Sequence, residues 1–569
     1  MLSPTPSSAA PFDVPLVVGV TSHRNLAPDE IEPIRQCIAG FFAQLKADFP
    51  EMPLLMLSAL AEGGDQLAAR EALAAGVRLI APLPLLPDIY REDFIDDATR
   101  QQFAQLCNHA NILQMPLLSG QTLAGIAVHG EARDRQYAQA GVFIASHCHI
   151  LLALWDGKES NLLGGTAQVV RYALDGVMPG WIERRRSERT VLNRVDESIV
   201  FHIACSRSDG QGGTVPPAPG LAPLQSRWVS QDQGRPANSG MPDEFRRMFA
   251  HMREFNLDQR RLQRLDSGTV IDRLFSAADG LAIHFQQRVL RVMRSIHVLA
   301  ATTGIAFVWY SDLPADVPYH VFGIYLFIAL FAAGMLLARL ARRRDWHRKY
   351  IDYRALAEGL RVQRFWRQAG VTSISPSAFA HDHFLQKTDL ELGWIRNVMR
   401  VPSLDRVSDA PVSADQLAAV VSEWIGAPGQ GGQLDYYARK AEHRTRTQRT
   451  TQALGQASLW IGMAIVVLLA LFQGWLGSDT TNLLLALLAV FGIVAAARES
   501  YAYRKGDKEL IKQYRYMLGI FSDARRKLDT APDDEGKREI LRVLGEAALA
   551  EHSEWALLHR QRPLDNARF

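Results

Sequence analysis

Four long apolar segments constrain the fold of this chain more than any other feature of its sequence. They span residues 295–310, 319–341, 458–476 and 483–497. Each is close to the ~17–25 apolar residues that an α-helix needs to cross the hydrocarbon core of a bilayer. Short turns join the first segment to the second and the third to the fourth, which predicts two transmembrane hairpins. The alternative interpretation is that the segments are buried helices of a large soluble protein.

Basic residues are distributed unevenly around these segments. The two turns, residues 311–316 and 477–482, contain no Lys or Arg. The outer flanks of the hairpins carry Arg288, Arg291, Arg294, Arg342, Arg343, Arg344, Arg348, Lys349, Arg439, Lys440, Arg444, Arg446, Arg449, Arg498, Arg504, Lys505 and Lys508. Lys and Arg accumulate on the cytoplasmic side of membrane proteins. The repeated asymmetry therefore favours the membrane interpretation and predicts that the N- and C-termini are both cytoplasmic.

Charge and cysteine content exclude several classes of function. The formal net charge is only +3, with 63 basic and 60 acidic residues, so no global charge favours a nucleic-acid partner. The four cysteines are Cys37, Cys107, Cys148 and Cys205. Their scattered spacing argues against a zinc site or a disulfide framework and fits a reducing cytosol. Residues 1–12 lack a basic start and an apolar core, which predicts a disordered tail and no signal peptide.

The N-terminal half alternates short apolar runs with helical patterns. We predict strands at residues 14–20, 54–57, 77–82, 111–115, 149–154 and 198–204, with helices between them. Continuous apolar strands that alternate with helices are typical of a parallel sheet covered on both faces. Residues 13–207 are therefore predicted to form a doubly wound, Rossmann-like α/β domain, so the fold class is α/β plus an all-α membrane region.

The rest of the chain divides by composition. We predict a Gly- and Pro-rich linker (208–243), a cytosolic helical stalk (244–294), a first transmembrane hairpin (295–341), a cytosolic helical region (342–456), a second hairpin (457–498) and cytosolic C-terminal helices (499–569). Basic aromatic helices follow both hairpins. They indicate either a duplicated two-span module or the general preference of Arg, Tyr and Trp for membrane interfaces.

Three loops that follow predicted strands carry the candidate ligand-binding residues. The first loop contributes Gly19, Thr21, Ser22, His23 and Arg24; the second Ser58, Glu62, Gly63, Gly64 and Asp65; the third Asp156, Gly164, Gly165 and Thr166. Parallel α/β sheets bind ligands beyond the carboxyl ends of their strands. Glycines before a helix let backbone N–H groups approach an anion, and Arg pairs with phosphate through two hydrogen bonds. The loops predict a nucleotide-type site, whereas the alternative is that the glycines only form tight turns.

Two residues of these loops have open roles. His23 is either an acid or base, or a hydrogen-bonding partner within its loop. Glu62 either binds a ribose hydroxyl or caps the following helix. The sequence contains no HExxH motif, no Walker lysine and no Ser-His-Asp order, so we assign no catalytic residue, metal or cofactor. No charged residue lies in the middle of an apolar segment, which disfavours an ion pump.

Two of the loops resemble motifs of the SLOG superfamily, which is named for its Smf/DprA and LOG members. The stretch Ser58-Ala59-Leu60-Ala61-Glu62-Gly63-Gly64-Asp65 is similar to the DprA pattern S-G-x-A-x-G-x-D, with Ala59 in place of the first glycine. Leu163-Gly164-Gly165-Thr166 is similar to the LOG element PGGxGTxxE. The loops look like those of the prokaryotic SLOG domain related to TRPM channels, and the resemblance covers residues 14–205.

The resemblance implies a function. SLOG domains generally bind nucleotides or their derivatives, TRPM relatives bind ADP-ribose-like ligands, and bacterial members accompany membrane effectors of defence systems, including the two-span SLATT type that residues 346–361 resemble. The expected protein is an oligomeric, ligand-gated effector of the bacterial inner membrane that forms a pore or ion channel or perturbs the bilayer, for example in antiphage defence.

One departure from the LOG pattern bears on catalysis. LOG enzymes place a glutamate three positions after the threonine, where this chain has Val169. Valine cannot act as a base, which favours binding over hydrolysis. A membrane-anchored nucleotide hydrolase that uses Glu62, and a scaffold whose SLOG-like fold has lost its ligand, are the alternatives.

Overall fold

The computed structural model divides the chain into two compact units. It describes residues 12–182, 198–211, 213–230, 234–236, 240–262, 268–312, 321–371, 384–385, 390–405, 412–427, 429–472 and 474–560. Residues 1–277 and 372–410 form the N-terminal unit, and residues 278–371 and 411–569 form the C-terminal unit. The predicted tail, residues 1–12, lies outside the described residues except for Phe12.

The N-terminal unit is built on a largely parallel sheet. Its strands are β1 (Leu16–Ser22), β2 (Leu54–Leu57), β3 (Arg78–Leu83), β4 (Asn111–Gln114), β5 (Ile150–Trp155), β6 (Ile199–Ala204), β7 (Arg207–Ser208), β8 (Thr214–Val215), β9 (Ser226–Val229) and β10 (Gly234–Pro236). The order in the main sheet is β10-β9-β6-β5-β1-β2-β3-β4; strands β1 to β6 run parallel to one another, whereas β9 is antiparallel to both β6 and β10. The predicted parallel α/β architecture is therefore confirmed.

Helices cover this sheet. They are α1 (Ile31–Asp48), α2 (Gly64–Ala74), α3 (Pro87–Arg91), α4 (Asp97–His109), α5 (Leu123–Ala127), α6 (Glu131–His147) and α7 (Thr166–Asp175). Strands β1, β2 and β5 are almost entirely buried, since their apolar side chains pack against helices on both faces. This burial explains why continuous apolar runs were sufficient to predict the strands.

The segment predicted as a linker contributes to the sheet. Strand β9 pairs antiparallel with β6, and β10 pairs with β9. Trp228 of β9 is buried, and its ring packs on Phe201 at 4.7 Å between centroids. A Gly- and Pro-rich composition hid this strand, because a single buried Trp supplies most of its apolar contact. Residues 208–243 are therefore not simply a linker.

Two helices from outside the predicted α/β domain also belong to the N-terminal unit. They are α8 (Asp243–Leu262) and α12 (Gly393–Arg400). The Asn256 amide pairs with the backbone N–H and C=O of Val14, both at 2.9 Å. His149 accepts from the Val17 N–H at 3.1 Å, and its Nε2 lies 3.3 Å from the Asn397 carbonyl oxygen. The segment predicted as a stalk thus begins with a helix that completes the α/β unit.

The C-terminal unit is helical. Its helices are α9 (Val270–Asp312), which begins in the N-terminal unit, α10 (Phe322–Arg343), α11 (Trp346–Ala369), α13 (Ala414–Val420), α14 (Gly432–Phe472), α15 (Ser478–Lys505), α16 (Asp507–Thr530) and α17 (Asp534–Arg560). Helix α17 packs on α11, where Gly545 leaves room for the Trp366 ring and Trp366 donates to the Leu541 carbonyl oxygen at 2.9 Å.

Four of these helices are candidates to cross a membrane. Within the described residues, α9, α10, α14 and the helix that begins with α15 contain windows of mean hydropathy 1.4, 2.1, 2.1 and 2.1. Large apolar side chains on these windows are exposed, including Leu336 (70%) and Leu459 (71%). A helix that is apolar on all sides requires a nonaqueous environment. These four helices therefore indicate a membrane protein.

Small residues allow close contacts between the apolar helices. A Cβ at Gly323 of α10 would lie 3.1 Å from the Ala306 carbonyl oxygen of α9, and one at Gly462 of α14 would lie 3.3 Å from Leu488 of α15. Small residues at such contacts are typical of helix packing in membranes. Most of the turn between α9 and α10, at residues 313–320, lies outside the described residues.

Candidate functional site

The strand order brings the three candidate loops to one edge of the sheet. Strand β1 lies between β2 and β5, so the loops that follow these three strands are neighbours. The chain moves outward from β1 through β2, β3 and β4, and then returns to the other side of β1 with β5 and β6. The strand order therefore reverses between β1 and β5. Open α/β sheets bind their ligands in the crevice beyond the carboxyl ends of the two strands at such a switch point.

A cavity of about 610 Å³ occupies this crevice. Residues of all three loops line it, together with residues of α6 and Arg207 of β7. Its volume falls within the ~300–1,000 Å³ of small-molecule sites. Thr166 Oγ1 donates to the Ser22 carbonyl oxygen at 2.7 Å, which fixes the third loop to the first.

A buried carboxylate organises one wall of the cavity. Asp156 Oδ1 lies 3.1 Å from His23 Nε2, and Asp156 Oδ2 lies 2.9 Å from Arg207 Nε. The Lys158 backbone N–H donates to Asp156 Oδ1 at 3.1 Å. Burial alone would raise the pKa of Asp156, but the Lys158 N–H, His23 and Arg207 hold this pKa below its ordinary value. The carboxylate is therefore ionised at neutral pH.

His23 lies against this carboxylate but remains neutral. Burial lowers the pKa of His23 and outweighs the opposite effect of Asp156, while Arg207 lowers the pKa further. The Asp156 backbone N–H also lies 3.1 Å from His23 Nε2. His23 thus joins the loop after β1 to the loop after β5, which supports a hydrogen-bonding role for this side chain, with a partner in the third loop and not in its own.

A second buried carboxyl lies at the start of α2. Asp65 Oδ1 accepts from Ser22 Oγ at 2.6 Å, and the Asp65 side chain also accepts from the Ala61 N–H. Burial raises the pKa of Asp65 to about 7, although Ser22 and the nearby Arg24 oppose the shift. Asp65 therefore changes its protonation near neutral pH at the edge of the cavity.

The glycines of the second loop are required by close backbone approach. Gly63 has φ +85°, and a Cβ there would collide with the carbonyl oxygen of Arg24. A Cβ at Gly64 would lie 2.6 Å from the Ser22 side chain, while the Gly64 N–H donates to the His23 carbonyl oxygen at 3.2 Å. These glycines position the first and second loops against each other.

The third loop leads into a helix whose N-terminus borders the cavity. Thr166 and Ala167, the first two residues of α7, both line it. The first turn of α7 contains no acidic residue, and its N-cap is Gly165, which has no side chain to cap the helix. Gly164 has φ +73°, and a Cβ there would lie 2.8 Å from the Ala138 backbone N. The positive end of this helix dipole is therefore open to an anion.

The structure separates the predicted site residues into two groups. The residues that line the cavity are Thr21, Ser22, His23, Arg24, Asp65, Asp156, Gly164, Gly165 and Thr166. The cavity lining does not include Gly19, Ser58, Glu62, Gly63 and Gly64. Gly19 packs against Ile144 and Cys148, and Ser58 accepts from the Leu60 N–H within its own turn. Glu62 Oε1 lies 3.4 Å from the Ile95 backbone N, so it contacts a different loop.

Sequence reasoning missed several residues of the site. The Arg24 guanidinium lies 5.5 Å from the centre of the Tyr137 ring, and the Tyr137 hydroxyl donates to Asp93. Asp93 also pairs with buried Arg133 at 2.6 Å. Tyr137 and Asp93 lie on a helix and in a helix–helix connection, which the search of loops after strands did not cover. Arg207 follows β6, so the same loop rule applied to the sixth strand would have found it.

Comparison with protein-family models, curated proteins and solved structures found no match to this chain. Among the described residues, no three His, Cys, Asp or Glu side chains are grouped so that they could hold a metal ion. The function is therefore inferred from the chemistry of the cavity.

Proposed function

We propose that this chain is a ligand-gated membrane effector. Its N-terminal unit binds a nucleotide or ADP-ribose-like ligand, and its four apolar helices respond by forming a pore or perturbing the bilayer. The observation that carries the proposal is that residues of all three candidate loops line one shared cavity at the switch point. The resemblance to SLOG domains supports the same class of ligand.

The charges of the cavity suggest how such a ligand is oriented. A phosphate fits at the start of α7, where Thr166 and Ala167 border the cavity and Arg24 and Lys158 line it. The N-terminus of α2 is less suitable, because the Asp65 carboxyl already occupies it. Asp65 is instead placed to accept a hydrogen bond from a ribose hydroxyl or to donate one when it is protonated. This differs from the expectation that both helices bind phosphates.

An added carboxylate at the start of α7 is expected to weaken ligand binding at least tenfold. In Ala167→Asp the new charge lies at a helix N-terminus, where it is tolerated, but it repels a phosphate. Ala98→Asp is the matched control, since Ala98 is also the second residue of a helix and lies outside the cavity. We expect at least a tenfold loss of affinity in Ala167→Asp only, with ADP-ribose, cyclic dinucleotides and nucleoside monophosphates as the panel.

Equilibrium binding to the full-length protein in detergent measures this effect. Equal affinity of wild type and Ala167→Asp for a bound compound would place that compound outside the cavity. Failure of every compound of the panel to bind wild type would contradict the proposal and favour a scaffold.

A nucleotide hydrolase is the second candidate. The raised pKa of Asp65, about 7, favours it, because general acid–base catalysis is most effective when the pKa is near the working pH. The structure favours Asp65 over Glu62 for this role, since Glu62 does not line the cavity. Chromatography of the binding mixtures decides the question: a compound recovered intact supports a sensor, and release of free base or ribose phosphate supports the enzyme.

The basic residues that flank the apolar helices support a placement of these helices in the membrane. We place α9 with α10 and α14 with α15 as two hairpins of the bacterial inner membrane, with both termini cytoplasmic because the basic flanks lie on that side. Four helices cannot enclose a wide pore alone, so the effector acts as a homo-oligomer. Gating requires that the ligand bind one state more tightly than the other.

A further inference from the structure

The cavity at the switch point is lined by several carboxyl groups, which belong to Asp65, Asp93, Asp134, Asp156 and Glu159. Three of them, Asp65, Asp93 and Asp156, already bind side chains of their own unit at distances of 2.6–2.9 Å. Glu159 is exposed to solvent, whereas Asp134 is half-buried. Within the part of the chain that the structure describes, the Asp134 carboxylate makes no hydrogen bond or ion pair. Asp134 is therefore the partly buried acceptor that is left for a ligand.

Asp134 lies on the face of α6 that borders the cavity. Tyr137 follows it by three residues and Gly141 by seven, and all three residues line the cavity. Spacings of three and seven place residues on one side of a helix. The Tyr137 ring is half-buried, and the Arg24 guanidinium lies 5.5 Å from its centre. An aromatic ring and a guanidinium group therefore lie one helical turn from the free carboxylate.

The third loop, which leads into α7, contacts the same helix. A Cβ at Gly164 would lie 2.8 Å from the backbone N of Ala138, which is four residues after Asp134. At ~1.5 Å per residue, these two positions of α6 are about 6 Å apart along the helix axis. This separation is comparable with the length of the ribose that joins a phosphate to its base. A nucleotide whose phosphate lies at the start of α7 can therefore reach Asp134 with its base.

A carboxylate distinguishes the bases by the donors that each base presents. It accepts hydrogen bonds and donates none, and its two oxygens can accept from two parallel N–H groups. Guanine presents two neighbouring donors, the ring N1–H and the exocyclic amino group. Adenine and cytosine present an amino group beside a ring nitrogen that is itself an acceptor. Among the common bases, guanine is therefore the one that matches both oxygens of a carboxylate.

We propose that the ligand of this cavity carries a guanine base, which donates two hydrogen bonds to Asp134 and stacks on Tyr137 or Arg24. Aromatic rings and guanidinium planes are the surfaces on which proteins stack bases. Guanine recognition presupposes the nucleotide binding proposed for this unit and narrows the ligand to a guanine nucleotide or a derivative of one. A carboxylate in the first turn of α6 also stabilises the helix, so the test must separate the two roles.

Two nearly isosteric variants of α6 separate base recognition from helix stability. Asp134→Asn replaces one acceptor oxygen by an amino donor, so it matches the donor–acceptor edge of adenine and no longer the two donors of guanine. Glu131→Gln is the matched control, because Glu131 also lies in the first turn of α6, is 76% exposed and does not line the cavity. Both variants remove one negative charge from the same turn.

Equilibrium binding of GMP, IMP and AMP to the full-length protein in detergent measures the preference. We expect wild type to bind GMP at least tenfold more tightly than AMP, the order expected for a base contact with two hydrogen bonds. IMP, which keeps the N1–H but lacks the amino group, should fall between them. The ratio of GMP affinity to AMP affinity should decrease at least tenfold in Asp134→Asn and remain unchanged in Glu131→Gln.

The ratio of the two affinities cancels any change in the attraction of the phosphate, and AMP binding by Asp134→Asn shows that this variant is folded. Equal binding of GMP and AMP by wild type, or a wild-type ratio in Asp134→Asn, would overturn guanine recognition and leave nucleotide binding intact. Binding of ADP-ribose without binding of GMP would overturn it as well. Failure of every nucleotide to bind wild type would instead contradict the proposed function, and guanine recognition with it.

Discussion

Gly63→Ala is expected to unfold the N-terminal unit at denaturant concentrations where wild type is folded. The substitution forces an L-residue to φ +85° and drives its Cβ into the Arg24 carbonyl oxygen. The positive φ alone costs roughly 1–2 kcal/mol, and we expect a total of about 3 kcal/mol or more once the collision is included. Since Gly63 positions the second loop against the first, ligand binding should be lost as well.

Gly76→Ala is the matched control for this prediction. Gly76 also has a positive φ, +69°, but a Cβ there meets nothing within 4 Å. It should therefore show only the conformational cost. An equal loss of stability in both variants would contradict the close contact between Gly63 and Arg24.

The positions of the cysteines provide a readout for one unit. Cys148 and Cys205 are buried, and all four cysteines of the chain lie in the N-terminal unit. Pulsed thiol labelling in increasing urea, mapped to Cys148 and Cys205 by mass spectrometry, therefore reports the unfolding of this unit in the full-length protein.

Asp65→Asn is expected to stabilise the N-terminal unit at pH 8 but not at pH 4. The pKa of Asp65 rises from 3.8 to about 7 on folding. Between these values the unfolded chain releases the proton while the folded chain keeps it, so wild-type stability decreases as the pH rises from about 4 to 7. The asparagine removes this dependence. The gain at pH 8 should approach roughly 4 kcal/mol as an upper limit, at about 1.4 kcal/mol per pKa unit.

The measurement is the urea midpoint of Cys148 labelling after equilibration at each pH, with the labelling pulse at a common pH. Ser22→Ala tests the same carboxyl from its partner: loss of the donor should raise the pKa of Asp65 further and extend the decrease in stability to higher pH. A difference between Asp65→Asn and wild type that does not change with pH would contradict the raised pKa.

The sequence predicted the strands because their apolar runs are buried on both faces. The predicted strand at 54–57 coincides with β2, and the remaining parallel strands agree within two residues at each end. The same rule failed for β9, where Trp228 is the buried anchor of a segment dominated by Gly, Pro and Ser. Likewise, the many charges of α8 suggested a stalk, although one face of this helix buries Phe245, Met248, Phe249, Met252 and Phe255.

The candidate site was predictable in location but not in detail. Residues after β1, β2 and β5 meet because parallel strands end at one edge of the sheet. The roles within the loops depend on tertiary contacts that no spacing reveals. Glu62 and Asp65 lie three residues apart in one loop, yet the former contacts the Ile95 backbone and the latter lines the cavity. Tyr137 lines the cavity from α6, which is not a loop that follows a strand.

The most direct test of a ligand-gated membrane effector is release of a fluorescent dye from liposomes that contain the full-length protein. The compounds of the nucleotide panel are added on the side where the N-terminal unit is exposed, with wild type, Ala167→Asp and Ala98→Asp compared at equal protein density. We predict that at least one compound that binds increases release by wild type and Ala98→Asp but not by Ala167→Asp. Equal release with and without every compound that binds would contradict the proposed gating.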